Sequence, residues 1–334
     1  MSSVFSAVVI AGFGLVVYFF GSNWLLDRIF TPQVKDDGTA LVWHERWRGA
    51  IRPWLFVAPA LVLIGIFLVF PMIQTIIYSF FNANGTTFVG LRNYNWALND
   101  PGFNQAILNN LLWLLLVPFV STALGLVIAV LADNVSWGTI AKSLIFMPMA
   151  ISFVGASVIW KFVYDYRGPN AEQIGVLNAL VVALGGQPQP WIATPIWNNL
   201  FLMIILIWIQ TGFAMVILSA ALRGVPQETL EAAQVDGATE VQIFYRITIP
   251  QITGTILVVL TTITIVVLKV FDVVLAMTNG QWGTEVLANL MYNWMFRSGG
   301  DFGRGSVIAI VIMLAVLPIM FWNIRRYRRE ENAR

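Results

Sequence analysis

The sequence contains no cysteine, a single histidine and few charged side chains. Without cysteine the chain can form neither a disulfide nor a catalytic thiolate. Charged residues make up 11% of the 334 residues, whereas a soluble domain usually carries about 25%. Paired carboxylates, metal-ligand spacings, nucleophile triads and the glycine-rich loop that cradles phosphates in ATPases are also missing. We therefore predict no catalytic site, no metal site and no cofactor in this chain, and too little polar surface for a soluble protein.

Apolar residues dominate what is present. They make up 58% of the sequence and fall in long blocks. A helix needs about 20 apolar residues to cross a bilayer, whereas buried helices of soluble proteins have apolar runs of about 10 to 14. Lipid offers no hydrogen-bond partner to a bare backbone, so such segments must be helical. The pattern predicts an all-α polytopic membrane protein with seven transmembrane helices. They span residues 4–26, 53–80, 106–131, 141–164, 196–218, 254–277 and 307–322.

The charges between the spans predict an orientation. Of the 19 Lys and Arg residues, thirteen fall in one set of loops, four in the opposite set and two within or at the end of a span. The side richer in basic residues is usually cytoplasmic. We therefore expect the N-terminus outside and the C-terminus in the cytoplasm. On the outer side, residues 175–185 and 285–296 predict short helices, which either anchor in the bilayer interface or cap the mouth of a pathway.

The longest polar stretch between two spans on the predicted inner side connects the fifth and sixth spans. Pro226 suits the first turn of a helix, because its missing N–H would be unpaired there. Gly237 is predicted to stop that helix in a left-handed conformation. Thr239, with Gln242 three residues later, predicts a capping box for a second helix, which Pro250 would end before the sixth span. These signals indicate a helix-turn-helix knuckle that projects into the cytoplasm.

The knuckle also carries a long motif of fixed spacing. It consists of Glu231-Ala232-Ala233, three residues, Gly237, nine residues and Ile247-Thr248-Ile249-Pro250. This pattern resembles the EAA motif of binding-protein-dependent ABC importer permeases. The family usually has Leu at the position of Ile249, which is a mild change. An ordinary capped loop would not need this spacing before a membrane span.

Shorter motifs elsewhere resemble the sugar-permease branch of that family. They include Phe146-Met147-Pro148, Leu177-Asn178, Phe271-Asp272 and Thr278-Asn279-Gly280. Many relatives continue the last motif with glycines and a proline, whereas this chain has Gly280-Gln281-Trp282-Gly283. The variant, together with the extra first span, most resembles permeases for α-glucosides or glucosylglycerol.

The resemblance implies a six-helix importer permease core at residues 53–325, with its EAA coupling loop at 222–252. An N-terminal transmembrane helix and a basic cytoplasmic linker precede it at 1–52, and a cytoplasmic tail follows at 326–334.

The resemblance also implies a function. The chain would lie in the bacterial inner membrane and take up a sugar or glycoside by alternating access, without being an enzyme itself. Implied partners are a second homologous permease, two ATPase subunits that bind ATP and Mg, and a periplasmic or lipid-anchored substrate-binding protein, with no role for nucleic acid. The residues implied in coupling to the ATPase are Glu231, Ala232, Ala233, Asp236, Gly237 and Pro250.

Polar side chains inside the spans mark a candidate substrate pathway, because they are costly in lipid and usually face a lined cavity. Lys269 and Asp272 in the sixth span are three residues apart, so we expect them to share a helix face. They either form a structural ion pair or line the transport route. Trp208, Gln210 and Phe271 are further candidates, because aromatic faces stack on sugar C–H surfaces and amides hydrogen-bond hydroxyl groups.

Two other classes of membrane protein are alternatives. A secondary transporter would be expected to show inverted repeats and broken helices, and the sequence shows neither clearly. A membrane enzyme would need convergent acid, base or metal-binding groups, which are missing. Neither alternative accounts for the spacing of the EAA-like motif.

Overall fold

The computed structural model of the chain describes residues 2–29, 42–297 and 299–332. The chain divides into two compact units, residues 1–74 and 75–334. Six helices in the described ranges are long and apolar enough to cross a membrane, and one strongly bent helix pair brings the number to seven. This agrees with the seven spans predicted from the sequence. The basic linker and the tail predicted at the two ends of the core lie partly outside the described residues.

The first unit contains two long helices. They are α1 (Ser2–Ile29) and α2 (Val42–Ile64). Helix α2 continues through a π turn (Gly65–Val69) into α3 (Phe70–Tyr78), in which the boundary between the two units falls. Polar contacts join the helices near one end: Arg48 Nη2 lies 2.8 Å from Asp27 Oδ1, and Arg52 Nε donates to Asn23 Oδ1 at 2.9 Å. Farther along, the rings of Phe19 and Phe56 stack 5.3 Å apart.

The second unit is also helical. Its α-helices are α4 (Arg92–Asn99), α5 (Pro101–Asp133), α6 (Gly138–Phe146), α7 (Phe153–Val163), α8 (Val176–Ala183), α9 (Trp197–Arg223), α10 (Gln227–Val235), α11 (Glu240–Ile243), α12 (Ile249–Leu268), α13 (Asp272–Met277), α14 (Leu287–Tyr292) and α15 (Phe302–Asn332). The short helices α8 and α14 confirm the helices predicted within 175–185 and 285–296.

The two long helices α5 and α9 form the centre of this unit. A Cβ atom at Gly125 of α5 would lie 2.5 Å from the Cβ of Ala214 of α9, so only glycine permits this closeness. Trp113, Leu206 and Met215 are fully or almost fully buried in the same core. The pair therefore forms a rigid frame, to which the other helices and loops of the unit attach.

The fourth predicted span, 141–164, is not one straight helix as predicted. Helix α6 continues into a short 3-10 turn (Met147–Ala150), and α7 then leaves at an angle of 106°. Pro148 in that turn cannot donate a backbone hydrogen bond. Ser152 adopts an extended conformation and its side chain accepts a hydrogen bond from the Gly155 N–H, which starts a new helix.

The sixth predicted span, 254–277, is also interrupted. Helix α12 ends at Leu268, and Phe271 has non-helical dihedral angles of φ −141° and ψ −58° just before α13 begins at Asp272. The break contains no proline or glycine. The length of the apolar run therefore predicted one continuous helix where the structure has two.

Candidate coupling segment and candidate substrate cavity

The EAA-like segment begins on α10, which projects beyond the end of α9. Glu231 and Ala232 are exposed, whereas Ala233 is 8% exposed and faces the rest of the unit. The helix therefore presents one side to solvent and packs with the other. Pro226 is the N-cap of α10 and not, as predicted, part of its first turn.

The turn after α10 is formed by hydrogen bonds between residues close together in the chain. Asp236 is the exposed C-cap, and Gly237 has a φ of +77°. The Gly237 N–H donates to the Gln234 carbonyl and the Ala238 N–H to the Ala233 carbonyl, both at 3.0 Å, which is the Schellman pattern. The predicted left-handed stop at Gly237 is confirmed. A side chain there would meet no neighbour, so the backbone conformation is what requires glycine.

The next helix starts with the predicted capping box. The Gln242 N–H donates to Thr239 Oγ1 at 3.3 Å, and the Thr239 N–H donates to Gln242 Oε1 at 2.8 Å. The prediction that Pro250 ends this helix is wrong. Helix α11 passes through a π turn (Phe244–Thr248) directly into α12, and residues 240–268 form one candidate span. Pro250 sits in the first turn of α12, where the wide π turn leaves space for its ring.

Apolar side chains are exposed on this knuckle. Val235 is 88% exposed, and Val241 and Tyr245 are 66% and 67% exposed. The three residues lie on both arms of the turn, around Gly237. Exposed apolar groups clustered on a projecting element are typical of a protein-protein contact.

A cluster of charged side chains near the knuckle was not predicted from the sequence. Asp133 at the end of α5 accepts from Lys142 Nζ at 2.6 Å and from Arg223 Nη2 at 2.8 Å. Ser219 Oγ completes the cluster, donating to Asp133 Oδ2 at 3.1 Å and accepting from Lys142 at 2.6 Å. These residues lie on three helices, and no short motif connects them. The cluster borders a cavity of about 690 Å³ between the helix ends and the knuckle.

A second cavity, of about 470 Å³, lies where the two helix breaks meet. Its polar lining consists of Ser152, Gln210, Thr262 and Asp272, and Phe153 and Phe213 are among its apolar lining residues. Gln210 is 6% exposed, and its side-chain amide makes no hydrogen bond to another described residue. An apolar cavity with a few convergent polar groups is a typical small-molecule site.

The structure brings together only part of the predicted pathway set. Gln210 and Asp272 both line the cavity of about 470 Å³, and Asp272 also borders a small adjoining cavity with Lys269 and Phe271. Trp208 lines neither cavity and packs against Trp160, with ring centroids 5.7 Å apart.

The prediction that Lys269 and Asp272 share a helix face is wrong. Lys269 is the C-cap of α12, and Asp272 is the first residue of α13. Among the described residues no ion pair joins them.

At the opposite end of α5 and α9 from the knuckle, four asparagines hold the loop between α13 and α14. Asn109 Nδ2 donates to the carbonyls of Gly283 and Glu285 at 2.8 and 2.7 Å. Asn198 Nδ2 donates to the Trp282 carbonyl at 2.7 Å. The other two contacts come from Asn110, which accepts from the Leu287 N–H at 2.8 Å, and Asn199, which donates to Gly283 at 3.4 Å.

Glu285 in this loop is a partly buried carboxylic acid. Burial raises the pKa of the Glu285 carboxyl above its ordinary value. Hydrogen bonds from Asn289 Nδ2 at 2.7 Å and the Val286 N–H at 3.1 Å offset this effect only in part. The loop therefore contains a titratable group whose neutral form is favoured by its surroundings.

Comparison with known proteins decides the family. The family model described as "Binding-protein-dependent transport system inner membrane component" matches residues 53–327. The chain belongs to this family. The permease is 61% identical to the alpha-glucoside transport system permease protein AglF of Rhizobium meliloti, over 99% of both chains. It is 54% identical to the osmoprotective compounds uptake permease protein GgtC of Synechocystis, over 84% of this chain and 100% of that protein.

A solved structure shares the fold of the permease. The crystal structure of a bacterial ABC transporter involved in the import of alginate matches with a TM-score of 0.73 at 23% identity, covering 85% of this chain and 99% of that chain. At this identity the match establishes the architecture alone. The resemblance stated from the EAA-like motif is thus confirmed, and so is the all-α membrane fold.

Membership settles the coarse function. The protein is a multi-pass permease component of an ABC importer in the inner membrane. Its two interrupted spans are the feature that was expected of a secondary transporter, so helix breaks alone do not distinguish the two transporter classes. The EAA motif, which is typical of the confirmed family, does distinguish them.

Proposed function

We propose that the permease takes up a sugar or glycoside of the α-glucoside type through the cavity between the two helix breaks. The observation that carries this proposal is the arrangement of Gln210, Ser152, Thr262 and Asp272 around apolar walls that include Phe153 and Phe213. Sugar rings offer hydroxyl groups to such polar side chains and C–H surfaces to aromatic ones. Two relatives with more than half of their residues identical are named for α-glucosides and osmoprotective compounds.

The position of the cavity suits alternating access. It adjoins the break between the 3-10 turn and α7, and the break between α12 and α13. Breaks allow the two halves of a span to tilt separately while the α5–α9 frame stays packed. Lys269, exposed at the second break, would be costly in lipid and is best accommodated beside an aqueous route.

The knuckle is proposed to dock on the ATPase subunit. Its exposed residues Glu231, Ala232 and Asp236 and the apolar Val235 form the outer surface of a short, well-capped helix. We place this end in the cytoplasm, because the loops at this end carry the basic excess. ATP and Mg would bind to the two ATPase subunits, and a second permease and an external substrate-binding protein would complete the complex.

The coupling proposal is tested with Glu231→Lys and Gly237→Val in the purified complex. We expect sugar-stimulated ATP hydrolysis to fall, or the ATPase to dissociate, while the permease still inserts in the membrane. Gly185→Val is the matched control, because Gly185 has a φ of +80° at the end of α8 and its Cβ would also meet no neighbour. Normal coupling in both knuckle variants would rule out the docking surface, whereas equal losses in Gly185→Val would point to backbone strain alone.

The substrate proposal is tested with Gln210→Leu and with a matched pair on α12. Thr262 lines the cavity and Thr264, two residues away, does not. The two residues are otherwise matched, because each hydroxyl donates to a carbonyl of its own helix, that of Val258 or Leu260. We expect Gln210→Leu and Thr262→Val to raise the KM for uptake of an α-glucoside, and Thr264→Val to leave it unchanged. Uptake of a panel of glycosides by the wild-type complex identifies the substrate class. A complex that transports none of them contradicts the proposal outright.

A further inference from the structure

Trp282, at the end of the permease opposite the knuckle, has a strained backbone and an exposed side chain. Its φ is 56° and its ψ 27°, in the left-handed region, and 51% of its surface is accessible. This conformation is unfavourable for any residue with a Cβ atom, and bulky residues adopt it rarely. A strained residue persists only where its surroundings impose the conformation, and such residues concentrate at functional sites.

The contacts that impose this conformation act on the main chain of the loop. Asn198 on α9 donates to the Trp282 carbonyl at 2.7 Å, and Asn109 on α5 donates to the next carbonyl, that of Gly283, at 2.8 Å. Both asparagines are at most 9% exposed. The rigid helix pair therefore holds the carbonyls of Trp282 and Gly283, and hence two successive peptide groups, while the Trp282 side chain remains at the surface.

Two exposed amide side chains lie beside the Trp282–Gly283 segment. Gln281 precedes it in the chain and is exposed. Gln105, on α5, is exposed as well, and its Nε2 lies 2.8 Å from where a Cβ atom of Gly283 would be. The absence of a side chain at Gly283 therefore leaves the space that Gln105 occupies. Neither amide hydrogen-bonds another residue in the described part of the chain, so their donors and acceptors are available to a ligand.

The loop lies on the outer side if the knuckle lies in the cytoplasm. Asn109 is in the first third of α5 and Asn198 at the start of α9, whereas the knuckle follows the end of α9. Trp282 therefore faces the side from which a sugar would enter.

We propose that Trp282, Gln281 and Gln105 form a sugar-contact site at the outer mouth of the permease, separate from the cavity at Gln210 and Asp272. The indole face would stack on the C–H surface of a pyranose ring, and the two amides would hydrogen-bond its hydroxyl groups. The site would take a neutral, hydroxyl-rich ligand, because its three side chains carry no charge. The inference rests on the proposed function, since it requires a sugar as the transported substrate.

A labelling experiment tests contact with sugar directly. The chain has no cysteine, so Gln281→Cys introduces a single reactive thiol beside the intact indole. In the purified complex we expect a membrane-impermeant maleimide to label this residue, and maltose to slow the labelling when no binding protein is present. Absence of labelling would mean that the loop is buried in the lipid interface, and it would overturn the inference. Protection by maltose no greater than by an equal concentration of glycerol, or protection seen only with the binding protein, would overturn it too.

Uptake measurements separate a stacking role from a structural one. We expect Trp282→Ala and Trp282→Gly to raise the KM for α-glucoside uptake about fivefold, which corresponds to the loss of one aromatic contact. Trp282→Phe should retain most of the affinity. Trp137→Ala is the matched control, since Trp137 is 60% exposed near the opposite end of α5 and should keep the wild-type KM.

The outcomes also distinguish this inference from the function on which it rests. Wild-type uptake of α-glucosides with an unchanged KM in all three Trp282 variants would refute the contact site and leave the proposed function intact. Trp282→Gly relieves the backbone strain, so an equal or better KM in that variant would show that the ring is not needed. A wild-type complex that takes up no α-glucoside contradicts the proposed function before any variant is compared.

Discussion

Lys142 on α6 places its Nζ 2.6 Å from Asp133 Oδ1 and 2.6 Å from Ser219 Oγ. The Lys142 side chain is only 15% exposed and that of Asp133 27% exposed, whereas Arg223, the other cation of the cluster, is 67% exposed. Helices α5 and α9 end at this cluster, and α6 begins five residues after the end of α5. The ion pair between Lys142 and Asp133 is therefore shielded from solvent, whereas the Arg223 side chain that also contacts Asp133 is largely solvated.

This difference predicts unequal effects of removing the two cations. A shielded pair that loses one partner leaves a poorly solvated charge, at a cost of about 2 to 4 kcal/mol, whereas exposed pairs contribute about 0 to 1 kcal/mol. We expect Lys142→Met to lower the unfolding midpoint of the purified complex clearly and Arg223→Met to change it little. A combined variant, Lys142→Met with Asp133→Leu, should recover part of the loss, because the carboxylate that loses its shielded partner in Lys142→Met is then absent. Equal effects of the two single variants would contradict this assignment.

The hydrogen bonds of Asn109 predict that this residue keeps the loop between α13 and α14 in a fixed conformation. Asn109→Leu keeps a similar volume but leaves the Glu285 carbonyl without a side-chain donor and the Gly283 carbonyl with only the longer bond from Asn199. An unsatisfied buried carbonyl costs about 1 to 3 kcal/mol. We expect faster hydrogen exchange at residues 278–287 and a lower unfolding midpoint. Asn104→Leu, at an exposed position on the same helix, should leave both unchanged. Unaltered exchange in Asn109→Leu would show that the other asparagines are sufficient.

The capping box predicts that the helix after Gly237 needs a hydroxyl group at position 239. Thr239→Ala removes the acceptor for the Gln242 N–H, a loss that typically costs about 1 kcal/mol of helix stability. We expect faster amide exchange at residues 240–244 and weaker stimulation of the ATPase by substrate. Thr239→Ser retains an acceptor and should behave like the wild type, so a loss in both variants would indicate a role other than capping.

The Glu285 carboxyl predicts a pH dependence of stability. Its pKa is raised in the folded protein by burial, so the folded state binds a proton more tightly than the unfolded state. This contribution to stability is fully present below the ordinary pKa near 4.5 and is lost as the pH rises through the raised pKa. We expect Glu285→Gln to flatten the fall of the unfolding midpoint over this range. Glu172→Gln, at an exposed glutamate, serves as the control, and a wild-type slope in Glu285→Gln would contradict the assignment.

The knuckle could be predicted almost entirely from the sequence because its interactions are local. The Schellman hydrogen bonds and the capping box connect residues no more than five positions apart. Gly237 and Thr239 therefore specify their own conformations whatever the rest of the protein does. The prediction for Pro250 was wrong because the preceding π turn leaves space for the proline ring within a continuous helix. A π turn has no reliable sequence signal.

Composition and apolar run length by themselves determined that the chain is a helical membrane protein, since a bilayer admits few other solutions. Motif spacing determined its family. Only the tertiary structure decided where the sixth span breaks, how Asn109 reaches Gly283 across 174 positions, and how Ser219 and Arg223 meet Asp133 across 86 and 90. The reason is that these features depend on contacts between distant helices, for which no residue pattern within a single span provides a signal.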